Sequence, residues 1–225
     1  MAGNLRAFLA ELMGTFAWVL FVAGAVCTDA SLDGALGPAG IAMAQGVALA
    51  AVFGVFGPYS IGLFNPAFTI ALACLKRVEI GKAALCLLCQ LLGAVLAALL
   101  LKQIFSHLLL AGEPPYLGTP LASAVGFRSA TLLEAVITFF LAVAAYRATE
   151  DTGMPSVAPR AIVVGAVAAA AAFVAGPLTG AAMNPARAFG PAVVTGFWSQ
   201  HYVYWVGPLA GAVGGMALSR FLFDR

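Results

Sequence analysis

Gly57-Pro58-Tyr59-Ser60-Ile61-Gly62-Leu63-Phe64-Asn65-Pro66-Ala67 and Gly176-Pro177-Leu178-Thr179-Gly180-Ala181-Ala182-Met183-Asn184-Pro185-Ala186 are two copies of one pattern. Each reads Gly-Pro, one residue, a hydroxyl, four residues and then Asn-Pro-Ala, with no gap. Asn is a preferred N-cap, and Pro suits the first helical position because its missing N–H would be unpaired there anyway. Asn65-Pro66-Ala67 and Asn184-Pro185-Ala186 therefore each predict a helix start. One such triplet is an ordinary loop-to-helix junction. Two in matching surroundings require a common reason.

The surroundings are apolar. Of 225 residues, 63% are hydrophobic and only 9% charged, against about 25% charged in a soluble domain. The chain cannot cover itself with polar surface in water, so it reads as a polytopic membrane protein with the lipid bilayer as its solvent. A net charge of +2 argues against nucleic acid as a partner. The first apolar run, Leu5 to Cys27, is long enough to span and carries Glu11, so it reads as a span rather than a signal peptide. Cys86-x-x-Cys89 has the spacing of a redox or zinc motif, but it lies in an apolar helix without a second Cys or His pair. It reads as membrane packing, and no metal or cofactor is expected.

A span needs about 20 apolar residues. Six segments qualify: 5–27, 37–56, 82–105, 128–147, 159–175 and 203–223. Two shorter ones, 65–75 and 184–195, each begin at an Asn-Pro-Ala and are too short to cross. They read as re-entrant half-helices, which are tolerated only where irregular backbone is buried or lines water. Glu11-x-x-x-Thr15-Phe16 in the first span recurs as Glu134-x-x-x-Thr138-Phe139 in the fourth, and Gly46 and Gly165 each stand nineteen residues before their Asn. The chain thus divides into two homologous halves, about 1–110 and 125–225, forming one domain. With three spans per half, the second half enters the membrane from the opposite side. An inverted repeat with discontinuous helices points to a site at the midplane. The fold class is all-α: six transmembrane helices plus two half-helices.

Lys76, Arg77, Lys82, Arg147, Arg160 and Arg220 fall in loops or ends on one side, which places both termini in the cytoplasm. Asp29, Asp33 and Glu113 fall on the other, together with His107 and His201, whose exposed loop positions read as solvated before they read as pH sensors. The Ala/Leu-rich composition and short loops point to a bacterial inner membrane.

Glu11 and Glu134 are ionisable groups inside spans. Such residues mark proton relays or internally bonded structure. One Glu and one broken segment per half favours the structural role, with each carboxylate accepting bonds from the backbone before its half-helix. The two half-helix N-termini should meet near the centre, each bringing about +0.5 of partial charge. The two Asn can offer amide N–H groups there. A neutral molecule with acceptor oxygens would be received, whereas a proton or cation would meet repulsion. Arg187, three residues after Asn184, adds a cation at membrane depth, a known means of excluding protons from pores.

With its paired Asn-Pro-Ala motifs, Arg187 and the repeated Glu-x-x-x-Thr-Phe, the whole chain resembles the aquaporin, or major intrinsic protein, family. The resemblance implies a passive, non-enzymatic channel without cofactor, assembled as a homotetramer with one pore per protomer. It also implies a four-residue selectivity filter, which ungapped counting from the motifs places at Gln45, Ala172, Ala181 and Arg187. Water-selective members carry bulky Phe and His at the first two places. Gln45 and Ala172 predict a wider opening, unless Phe53 or Phe173 fills it, and so passage of glycerol, urea or metalloid hydroxides (arsenous, boric or silicic acid) besides water. The string from Gly176 to Arg187 looks like the nodulin-like branch and its bacterial relatives. A strictly water-selective channel and an inverted-repeat transporter are the alternatives.

Overall fold

The computed structural model describes residues 2–106, 116–122, 124–149 and 157–223; His107 and Glu113 lie outside them. Among the described residues every regular element is a helix, with no strand. The six long helices are α1 (Ala2–Ser31), α2 (Gly37–Phe56), α4 (Ile80–Ile104), α5 (Phe127–Thr149), α6 (Val157–Thr179) and α8 (Val203–Phe223). All six are long and apolar enough to cross a membrane. Between them lie the short α3 (Pro66–Cys74) and α7 (Pro185–Thr195).

One boundary difference from the sequence reading lies in α6. A span closing at 175, before Gly176-Pro177, continues instead to Thr179. Pro177 sits in the last turn, where its missing N–H and ring affect little remaining helix. The matching Gly57-Pro58-Tyr59 forms a separate 3-10 turn.

Packing follows a pseudo-twofold pattern. α1 packs on α4 as α5 packs on α8, α1 on α2 as α5 on α6, and α4 on α7 as α8 on α3. The axis passes where α2 crosses α6. A Cβ on Gly46 would lie 2.6 Å from the Gly165 carbonyl, and one on Gly165 would strike the Gly46 carbonyl in return. Only small residues allow helix backbones this close, which is how helices associate where lipid gives no hydrophobic drive. Large apolar side chains such as Phe21, Phe140 and Phe173 remain exposed on the outside, as a lipid-facing surface requires.

At nine and eleven residues, α3 and α7 are below the ~12–15 residues at which isolated helices become even marginal. Packing holds them: Pro66 to Thr69 and Pro185 to Ala188 are buried.

Candidate functional site

Each short helix begins at its Asn. Asn65 and Asn184 have extended backbone, and their side-chain oxygens accept from Ala67 N (3.0 Å) and Ala186 N (2.8 Å). The amide nitrogens then reach across the axis. Asn65 Nδ2 donates to the Met183 carbonyl at 2.8 Å, and Asn184 Nδ2 donates to the Phe64 carbonyl at 2.9 Å. The structure thus brings the two Asn-Pro-Ala motifs together, N-terminus to N-terminus. Each amide nitrogen carries a second N–H beyond this bond.

The segments entering the half-helices are bent backbone. Leu63, Phe64, Ala181 and Met183 have φ of 57°, 59°, 43° and 52°, a conformation costing about 1–2 kcal/mol for a residue with a Cβ. Carboxylates hold both segments. Glu11 Oε1 accepts from Ser60 Oγ (2.5 Å), Ile61 N (2.8 Å) and Gly62 N (2.6 Å), and its Oε2 accepts from Phe64 N (3.0 Å) and Gln90 Nε2 (2.7 Å). Glu134 Oε1 accepts from Thr179 Oγ1 (2.6 Å) and Ala182 N (3.0 Å), and its Oε2 from Met183 N (2.8 Å). Hydrogen bonds to a charged group are worth about 1.5–3 kcal/mol each. Three to five of them offset both the strain and the burial of the charge. The two carboxylates are spent on backbone N–H groups, hydroxyls and an amide, and neither lines the outer cavity described next.

On the side away from the basic loops, a cavity of about 280 Å³ opens, lined by Gln45, Ala172, Gly118, Thr119, Gly180 and Arg187 among others. Gln45, Ala172 and Arg187 come together here from three elements. Ala181 joins them through its carbonyl, which accepts from Gln45 Nε2 at 2.7 Å. Arg187 is the third residue of α7 and is 1% exposed. Its Nη1 donates to the Gly118 carbonyl at 2.6 Å, while its Nε has no partner among the described residues. Neither phenylalanine that could have narrowed this level does so. Phe173 is 49% exposed on the outer surface, and Phe53 packs edge-on to Phe64, lining a separate cavity with Arg160.

Three contributors escaped the sequence reading. Gly118 fixes Arg187 from 69 positions away, and no local pattern links them. Gln90 bridges Glu11 and Thr69; an amide inside an apolar span was the available signal. The repeated hydroxyl, Ser60 and Thr179, was visible as a pattern, but its carboxylate partner was not.

The model of the major intrinsic protein family matches residues 1–218. The chain is 39% identical over 215 residues to Aquaporin TIP4-4 of Zea mays, covering 93% of this chain and 83% of that one. It is 41% identical over 226 residues to a probable aquaporin TIP3-2 of Oryza sativa subsp. japonica, covering 98% and 82%. In fold it is similar to the aquaglyceroporin of Plasmodium falciparum, with a TM-score of 0.84, 20% identity, and coverage of 98% and 96%. These sequence relatives are plant proteins of the TIP type. They do not support the bacterial inner membrane that composition pointed to, and they carry the TIP designation rather than that of the nodulin-like branch.

Proposed function

The chain belongs to the major intrinsic protein family, whose members are passive membrane channels and not enzymes, and from that premise we propose that it conducts water and small uncharged polar solutes while excluding protons and ions. The observation that carries this reading is the meeting of Asn65 and Asn184 at two facing helix N-termini. A molecule crossing there finds N–H donors and a positive field of about half a charge from each helix end. Water or a solute hydroxyl can accept. A cation would lose its hydration shell and gain only donors, and a proton would meet the same field, reinforced outward by Arg187.

We assign the selectivity filter to Gln45, Ala172, Ala181 and Arg187. The small side chains at 172 and 181, and the absence of Phe173 from this level, support a filter wide enough for glycerol, urea or a metalloid hydroxide. We further assign the chain to one domain of two inverted halves, about 1–110 and 125–225, assembled as a homotetramer, with the basic loops and both termini cytoplasmic. Exposed apolar surface on every long helix supports burial against lipid and sister protomers.

Stopped-flow light scattering on proteoliposomes tests the solute range with water, urea, glycerol and boric acid in turn. The wild type is expected to pass water and at least one larger solute. Ala172→Phe is expected to keep water flow and lose the larger solute. Water flow with no measurable entry of any larger solute would overturn the wide filter. Saturable, ion-coupled uptake would overturn the channel itself.

A further inference from the structure

Trp18 is among the largest side chains buried completely, at 0% exposure, and its indole Nε1 has no hydrogen-bond partner among the described residues. An indole N–H can only donate, and it usually finds a partner when buried. Its position on α1 says where a partner would come from. At 3.6 residues per turn, Glu11, Thr15, Trp18, Val22 and Val26 lie within about 80° of one another around the helix. The ends of this stripe are fixed by contacts. Glu11 bonds the backbone from Ile61 to Phe64, Thr15 Oγ1 donates to the Phe64 carbonyl at 3.3 Å, and Val26 lines the outer cavity with Arg187. The Phe64 carbonyl is also the acceptor of Asn184 Nδ2. The stripe therefore passes the Asn pair at Thr15 and reaches the cavity at Val26, with Trp18 between. A long side chain on a helix leans over the preceding turn, which carries the indole back toward the Thr15 and Asn level.

The second half has no such group. Counted from Glu134 and Thr138, the equivalent position is Leu141, also buried. The donor at Trp18 is thus an addition to one half rather than part of the repeated framework. Arg187 Nε is likewise buried without a partner among the described residues, and that side chain lines the outer cavity.

We propose that the Trp18 indole N–H is a further fixed donor of the channel, binding the acceptor oxygen of water or a small neutral solute beside the Asn pair, while the ring limits the width there. This rests on the channel reading above. A permeating molecule sheds water–water bonds at the centre, and a fixed donor on the α1 wall replaces one of them.

Two measurements on the full chain in liposomes test it. Indole N–H exchange with deuterium is followed by solid-state NMR of protein labelled with 15N at the indole, and the Trp18 signal is the one missing from Trp18→Phe. Exchange of this signal within minutes is expected, whereas protection for hours shows a sealed core indole and overturns the proposal. Stopped-flow is then run on Trp18→Phe, which keeps an aromatic ring and removes the donor, and on Trp18→Leu, which also removes bulk. Trp18→Phe is expected to slow water about two- to fivefold, the loss of one ordinary hydrogen bond. Trp18→Leu is expected to raise the urea-to-water permeability ratio above that of Trp18→Phe. Unchanged water flow in Trp18→Phe overturns the donor role. A wild type that passes no water in the same assay overturns the channel reading, a result separate from either Trp18 outcome in a conducting channel.

Discussion

Asn65 and Asn184 exchange the same bond: each donates its amide N–H to the carbonyl of the residue immediately preceding the other, at 2.8 and 2.9 Å. The two half-helices are therefore latched by the groups that cap them. Neither Asn can move without releasing a cap, a cross-bond and a buried carbonyl together. Asn184→Asp keeps the cap to Ala186 N but loses both N–H groups and sets a carboxylate oxygen against the Phe64 carbonyl. An anion between two positive helix ends also cancels the field that repels cations. We expect slower water flow and a raised proton leak, measured as faster collapse of a pH gradient in proteoliposomes. An unchanged gradient would refute this account of exclusion.

The crossing of α2 and α6 at Gly46 and Gly165 makes a stability prediction. A Cβ on Gly165 would meet the Gly46 carbonyl and come within 2.6 Å of Ala50 Cβ. Both obstacles belong to the facing helix, so the axis spacing must change. Gly165→Ala is expected to destabilise the protein by about 1–3 kcal/mol, the range for overpacking. At Gly81, near the start of α4, an added Cβ would meet nothing within 4 Å, and Gly81→Ala should be neutral or slightly stabilising. Thermal unfolding in detergent compares the two. Equal midpoints would show that the helices separate freely at the crossing.

Much of this architecture is legible in the sequence alone, because its signals are local or repeated. Asn followed by Pro specifies a helix start whatever surrounds it, and six apolar runs give six spans by length alone. The repeat supplies the rest, since residues matched by sequence, such as Gly46 and Gly165, meet on the axis in space. What escapes is set by long-range geometry. Gly118 lies in the loop before α5 and reaches Arg187 only because that loop folds back over α7. Phe173 is two residues from the C-terminal limit predicted for its span, and periodicity does not tell whether it faces the lumen or lipid. Trp18 reads as one apolar residue among many, because an unpartnered indole is a property of the packed structure.

His201 gives the chain a local response to acid. It lies in the turn between α7 and α8, edge-on to Trp198 at 4.7 Å between ring centroids, with Tyr204 at 6.4 Å. Burial holds the imidazole below its ordinary value. The folded state therefore binds fewer protons than the unfolded state, whose His titrates near 6.5. Stability from this residue is full above that pH and falls as pH drops below it toward the folded value. The unfolding midpoint in detergent should decrease between pH 7.5 and 5.5, and His201→Phe should flatten the decrease. Parallel curves for the two proteins would exclude His201 as its source.

Arg187 joins the outer cavity to the proton barrier proposed above, and its side chain is held by Gly118. The guanidinium is almost fully buried and tied through Nη1 to one carbonyl at 2.6 Å. That carbonyl belongs to a residue at φ 70°, where a Cβ would lie 2.7 Å from the Ala23 carbonyl. Gly118→Ala thus combines a strained backbone with a collision and must shift the loop, while leaving the charge in place. Arg187→Val removes the charge and the donors but leaves the loop. If the charge repels protons, Arg187→Val should raise proton leak and admit larger solutes. If placement also matters, Gly118→Ala should alter solute selectivity with a smaller effect on proton leak. Both are read in the same proteoliposomes, with pH-gradient collapse for protons and stopped-flow for urea and glycerol. Proton leak unchanged in Arg187→Val would leave exclusion to the two Asn-capped helix ends alone.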